Sequence, residues 1–197
     1  MIQIINTGVA NIRSLQAAFD RLGQPWNLTE DPEQIASAHL AVLPGVGAFA
    51  AAVESIDRLG IRQIMVDRLK DPGTKTLCIC LGMQLLGEAS EEAPEAAGLG
   101  VVPRVITRFQ DEVQVPQLGW NQVNPQSEGI FEAGEAYFAN SYRLLEPPQG
   151  WGYAETDYGG KFVSSIWRGG TLACQFHPEL SGQWGQTLLQ NWIRWEQ

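Results

Sequence analysis

Cysteine and histidine are scarce in this chain, and the scarcity narrows its chemistry before any motif is considered. Three cysteines are an odd number, and Cys78 and Cys80 stand only two apart, which is no disulfide framework. A reduced cytoplasm is the setting this implies. Two histidines and no Cys-x-x-Cys pair argue against a structural zinc, so no metal and no other cofactor is expected. Positive charge is short as well: 13 lysines and arginines face 22 aspartates and glutamates, a net charge of −9. Coulombic repulsion then opposes a nucleic acid or an anionic membrane surface as partner. No uninterrupted apolar run approaches the ~20 residues of a membrane span. The opening "MIQIINTG" has neither a basic n-region nor a long apolar core, so no secretory leader is expected there. Internal repeats and low-complexity linkers are missing too, and 197 residues suit a single domain, 1–197.

The first half alternates short apolar runs with helical periodicity. "IQII" (2–5) is a buried strand. After it Ile12, Leu15, Ala18, Phe19 and Leu22 recur at helical spacing, with Asn11 as N-cap and Gly23 as stop. "LAVLPG" (40–45) is a second strand, cut by Pro44 and Gly45. Phe49, Val53 and Ile56, then Ile61, Ile64, Val66 and Leu69, predict helices on either side of Gly60. "KTLCICLG" (75–82) is a third strand, and "MQLLGEASEE" is expected to continue as helix. The acidic "EASEEAPEAAG" (88–98) is expected as a solvated helix end and loop. This alternation predicts an α/β fold with a mostly parallel central sheet and helices on both faces. The second half differs. "LGVVPRVITRF", "EAYFANSYRLL", "WGYAETDY", "KFVSSIWRGG" and "TLACQFHPE" are β-rich runs separated by turn residues, which predict an antiparallel extension. A last helix presents Trp184, Leu188, Leu189, Trp192 and Ile193 on one side, a stripe suited to packing on the sheet.

Three pieces could form a thiol site. Cys80 stands at the carboxyl end of the third strand, where α/β sheets place ligands and catalysts. Helix amides beyond it would favour a thiolate, and Gly82 permits the tight turn of a nucleophile elbow. Cys78 is expected on the same side of the strand but deeper, as core packing. Buried cysteine is common, so Cys80 alone decides nothing. In "QFHPE" (175–179) Pro178 imposes extended backbone at His177, which brings His177 and Glu179 out side by side. That pattern suits an imidazole that takes a proton from a thiol while a carboxylate holds its other nitrogen; the alternative is a lone surface histidine beside a solvated glutamate. "PGVGAF" (44–49) offers backbone N–H groups for a developing oxyanion, or is a plain strand-to-helix turn. The three together are far more specific than any one.

These residues resemble the class I glutamine amidotransferase family, whose flavodoxin-like glutaminase domains use a Cys–His–Glu triad. "GVANIRSL", "LPGVGAF", "CLGMQLL", "EASEEAPEAAGLG", "QLGWNQV", "YFANSYR" and "CQFHPE" carry the resemblance, in order, from about residue 8 to 179. Within the class they are similar to the glutaminase subunits of imidazole glycerol phosphate synthases in histidine biosynthesis. The resemblance implies Cys80 as nucleophile, His177 as general base and acid, and Glu179 as orienting carboxylate. It implies an oxyanion hole from the Leu81 N–H and one from the Gly45–Val46–Gly47 turn, with Val46 as the donor that could flip. Gly45, Gly47, Gln84, Ser141 and Tyr142 would hold L-glutamine. Asn11, Trp120, Asn121 and Tyr137 would face a (β/α)8 cyclase subunit that receives the ammonia in a heterodimer.

The chain departs from the family pattern at several positions. Cys78 replaces a common glycine two before the nucleophile, and "GVAN" lacks a second glycine. Leu180 stands where lysine is often available for an interfacial ion pair, and Gln117 and Asn140 where histidine is common. Two other functions compete with the glutaminase subunit. One is a related cysteine hydrolase or a glutaminase serving another ammonia acceptor; the other is a regulatory binding module. An intact Cys80, His177 and Glu179 argues against the second.

Overall fold

In the computed structural model residues 1–8, 12–110 and 112–195 are described, so Asn11 lies outside the described residues. The first strand, β1 (Ile2–Ile5), is buried along its whole length, as a strand covered on both faces must be. It leads through α1 (Ile12–Arg21) to β2 (Trp26–Thr29). Then α2 (Pro32–Ser37), capped by the Asp31 carboxylate on the Glu33 N–H, precedes β3 (Leu40–Leu43). Two helices, α3 (Phe49–Arg58) and α4 (Arg62–Lys70), flank Gly60, whose φ of 68° takes the chain through the break between them. They lead to β4 (Lys75–Ile79) and a single helical turn, α5 (Leu81–Gln84).

The expected continuation of α5 through "MQLLGEASEE" does not form. The backbone that would supply the next turns is engaged elsewhere: Leu99 N–H bonds the Leu85 carbonyl, Val102 N–H the Leu86 carbonyl, and Glu88 N–H the Arg104 carbonyl. Ala89–Ser90 is instead a short strand, β5, paired with β6 (Val105–Arg108). The acidic stretch is therefore partly inside: Ala93 is buried. The β-rich second half supplies β7 (Gln117–Pro125), β8 (Gly134–Asn140), β9 (Tyr142–Arg143), β10 (Gly152–Asp157), β11 (Lys161–Arg168) and β12 (Thr171–Cys174). A 3-10 turn at Pro178–Leu180 and α6 (Gly182–Arg194) follow.

Among the described residues the main sheet has nine strands in the order β2-β1-β3-β4-β12-β11-β10-β7-β8. From β2 to β12 neighbouring strands run parallel; from β12 to β8 they run antiparallel. A smaller sheet joins β5, β6 and β9. Two cores lie against the main sheet. Ile5, Leu43 and Cys78 pack with Ile35, Phe49, Ile56, Met65 and Leu69 of α2, α3 and α4. Ile2, Ile4, Val42, Leu77 and Ile79 pack with Leu15 and Phe19 of α1 and Leu188, Leu189 and Trp192 of α6. Alternation along β1, β3 and β4 sends successive side chains to opposite cores. Among the described residues no helix is long and apolar enough to cross a membrane.

Candidate active site

The parallel strand β4 ends one residue before Cys80, whose N–H still donates to the Cys174 carbonyl of β12 at 2.7 Å. There the backbone turns left-handed: Cys80 has φ 53°, the only positive φ outside glycine among the described residues. With ψ −108° the residue sits in a sparsely populated region that costs of order 1–3 kcal/mol, a strain typical of a nucleophile elbow. The turn also corrects an expectation. Cys78 packs with the α3–α4 core while Cys80 joins the opposite one, because the left-handed residue breaks the strand's alternation. Gly82 lets α5 start hard against the sheet, since a Cβ there would overlap the Leu43 carbonyl oxygen of β3.

His177 follows β12 in extended backbone, φ −102° and ψ 93°. Its N–H donates to the Tyr137 carbonyl of β8 at 2.9 Å, and Ser181 Oγ donates to the His177 carbonyl at 2.6 Å. Glu179 is not extended as expected: Pro178 opens the 3-10 turn, a position that proline's fixed φ suits. The tighter turn still brings Glu179 Oε1 to 2.8 Å from His177 Nδ1, with both side chains buried. The Cys80 side chain stands close enough to the imidazole to favour its charged form, and both groups line one cavity; with Nδ1 occupied by the carboxylate, Nε2 is the nitrogen left to face sulfur. Burial pushes the His177 pKa down, but the bonds to Cys80 and Glu179 and their charges outweigh it and raise it to about 10. By contrast, burial drives the Cys78 thiol up out of the functional range and the Cys174 thiol to about 12. Imidazole and carboxylate are thus hydrogen-bonded, and the sulfur lines the same cavity as the ring.

They open on a cavity of ≈ 260 Å³ lined by Cys80, His177, Val46, Gly47, Leu81, Gln84, Ser141 and Tyr142, among others. Gly45 and Glu179 border a much smaller adjoining space of ≈ 10 Å³. Gln84 Nε2 donates to the Tyr142 carbonyl at 3.3 Å and to Gln175 Oε1 at 3.1 Å. The Leu81 N–H is not free: it donates to the Gly45 carbonyl at 3.3 Å.

With this geometry in view, the comparisons decide the family. The family model of the class-I glutamine amidotransferases matches residues 3–195. The chain belongs to that family. Among curated relatives, the imidazole glycerol phosphate synthase subunit HisH of Chlorobium luteolum is 40% identical over 199 residues, 97% of this chain and 98% of the relative. The subunit of the same name from Herpetosiphon aurantiacus is 39% identical over 197 residues, 98% of this chain and 93% of the relative. A crystal structure of a glutamine amidotransferase superposes with TM-score 0.79 at 18% identity, covering 98% of this chain and 97% of that one. A putative GMP synthase subunit from Thermoplasma acidophilum follows at TM-score 0.71 and 16% identity, covering 98% of this chain and 92% of that one. At such identities these structures share the fold.

Several residues of the amidotransferase pocket escaped the sequence. Glu92, Ala139 and Asn140 also line it. Burial raises the Glu92 carboxyl above its ordinary range, partly offset by the Phe49 N–H at the start of α3. Nothing marks Glu92 out from its acidic neighbours except the fold itself. The departures Gln117 and Asn140 are direct cross-strand partners. Asn140 Nδ2 donates to the Tyr142 carbonyl at 3.0 Å, while its Oδ1 and both Gln117 amide atoms are buried without a partner among the described residues. Trp120, Asn121 and Tyr137 stand outside the cavity. Trp120 is 57% exposed and stacks edge-on against Tyr137, and Asn121 Nδ2 donates to the Asp157 carbonyl at 2.9 Å.

Proposed function

We propose that this chain is the glutaminase subunit of an imidazole glycerol phosphate synthase, hydrolysing L-glutamine and passing the ammonia to a (β/α)8 cyclase subunit. The cyclase would use it to make imidazole glycerol phosphate and aminoimidazole carboxamide ribotide. One observation carries the chemistry: a strained Cys80 sharing a pocket with His177, which is itself hydrogen-bonded to Glu179. The near-full-length relatives named as HisH subunits support the choice of pathway. Three unbridged cysteines accord with a reducing, cytoplasmic setting.

In this reading the Cys80 sulfur forms a bond to the side-chain carbonyl carbon of glutamine, and the carbonyl electron pair moves onto oxygen. When that pair returns, the C–N bond breaks and the imidazolium of His177 delivers the proton that releases ammonia. Water, deprotonated by His177, then hydrolyses the γ-glutamyl thioester to glutamate and free Cys80. Glu179 keeps the ring oriented through Nδ1 and stabilises its positive charge. Gln84, Ser141 and Tyr142 hold the substrate, and Glu92 offers a negative charge to its α-ammonium group. The partner meets Trp120, Asn121 and Tyr137.

The resting oxyanion hole is incomplete. The Gly45 carbonyl occupies the Leu81 N–H, and in a trans peptide the Val46 N–H points the opposite way. Turning the Gly45–Val46 peptide over would free the Leu81 donor and add the Val46 donor. Such a rotation changes ψ of Gly45 and φ of Val46, and Gly45, lacking a side chain, tolerates the new ψ. A missing oxyanion donor costs ~10²–10³ in rate, so the isolated chain is expected to be nearly idle until the cyclase docks. This resting arrangement favours the subunit over a partner-independent hydrolase.

The test is glutamate release by the chain alone, with a cyclase subunit, and with the cyclase and its nucleotide ligand, each with wild type and Cys80→Ala. The expected result is release that rises with partner and ligand and vanishes in the variant. Release that persists in Cys80→Ala would overturn the enzyme reading, and partner-independent turnover would favour the hydrolase.

A further inference from the structure

Gln175 is buried to 1% exposure between β12 and His177, and its N–H donates to the Ser164 carbonyl of β11 at 2.9 Å. A carboxamide taken out of water needs partners at both ends, and this one has them. Its Oε1 accepts from Gln84 Nε2 at 3.1 Å, and its Nε2 donates to Cys80 Sγ at 3.6 Å. The polarity of this chain is fixed from outside. The Tyr142 carbonyl can only accept, so Gln84 must turn its NH2 group toward it. The same NH2 group meets Gln175, which must then present oxygen to Gln84 and keep its own NH2 for sulfur. A protonated Cys80 has an acceptor of its own in the Ala139 carbonyl at 3.9 Å. An N–H aimed at sulfur is worth most when the sulfur is charged.

We propose that Gln175 is a second hydrogen-bond donor to the nucleophilic sulfur, alongside His177, held in its donating orientation by Gln84 and the Tyr142 carbonyl. The inference rests on Cys80 being the nucleophile. It also links substrate to sulfur, because Gln84 and Tyr142 are the residues assigned to glutamine. The titratable groups around Cys80 are His177 and Glu179 after β12, Cys174 in β12, and Glu92 and Tyr142 across the cavity.

The experiment follows alkylation of Cys80 by iodoacetamide against pH in the full chain, with the labelled site mapped by mass spectrometry. Iodoacetamide is uncharged and needs no glutamine-binding contact. In Gln175→Met, close in length but without the donor, the alkylation profile is expected to move up by about one pH unit. Gln175→Glu places a like charge beside the sulfur and is expected to move it further. A purely structural role would lower the melting temperature and leave the profile in place. Superimposed profiles in all three proteins would overturn the proposal. Should neither variant fold, the side-chain amide signals of Gln175 in 15N-labelled wild type decide: they are expected to shift with the alkylation midpoint, and an indifferent signal overturns the proposal. The underlying reading fails separately, if Cys80→Ala keeps its glutaminase activity whatever the Gln175 variants do.

Discussion

Cys80 and Glu179 favour a positive charge on His177 where burial works against it. The bonds to Cys80 and Glu179 more than offset the loss of water, and the pKa rises to about 10 from an ordinary 6.5. A group raised on folding adds stability that is fully present below pH 6.5 and is lost as pH climbs through 10. Urea unfolding of wild type and His177→Gln is therefore expected to differ most near pH 6, with the gap closing toward pH 10; a gap that does not change with pH would contradict the raised value. Such residue-level features were legible to different degrees. His177 and Glu179 stood out because Pro178 between them constrains the backbone. Glu92 and Gln175 did not, because their partners lie far away along the chain: Gln175 meets residues 91 and 95 positions distant. Only the folded sheet brings those amides together.

At the scale of elements, the site depends on how closely α5 approaches β3. A methyl group at Gly82 would meet the Leu43 carbonyl, which is backbone and cannot swing aside. Gly82→Ala is expected to lose roughly 1–3 kcal/mol, as overpacked sites do, lowering the melting temperature by several degrees; an unchanged melting curve would show that the junction is looser than described. The parallel strands β1, β3 and β4 were plain in the sequence as continuous apolar runs, and α3, α4 and α6 as periodic ones. β2 was missed because it is a short edge strand with polar Asn27 and Thr29 and little buried surface. The length of α5 is overestimated from the sequence because its end is set by N–H groups of residues 98–102 that capture the carbonyls of residues 85–88, which no local pattern encodes.

For the whole molecule, the proposed nucleophile Cys80 follows β4, the proposed base His177 follows β12 and the proposed oxyanion loop follows β3. These strands neighbour one another in the order β3, β4, β12. That adjacency is what would make one site from segments some thirty-five and a hundred residues apart. Around it, Val46, Trp120 and Leu180 expose apolar surface, which in the proposed complex would face the cyclase subunit. The central claim is that the Cys80 sulfur is the atom that bonds to glutamine. Rapid acid quenching of the chain turning over glutamine with its cyclase subunit, followed by peptide mass mapping, tests it most directly. The account predicts a γ-glutamyl adduct on the Cys80 peptide, absent when glutamine is withheld; an adduct on Cys78 or Cys174, or turnover through a Cys80→Ala chain, would contradict it.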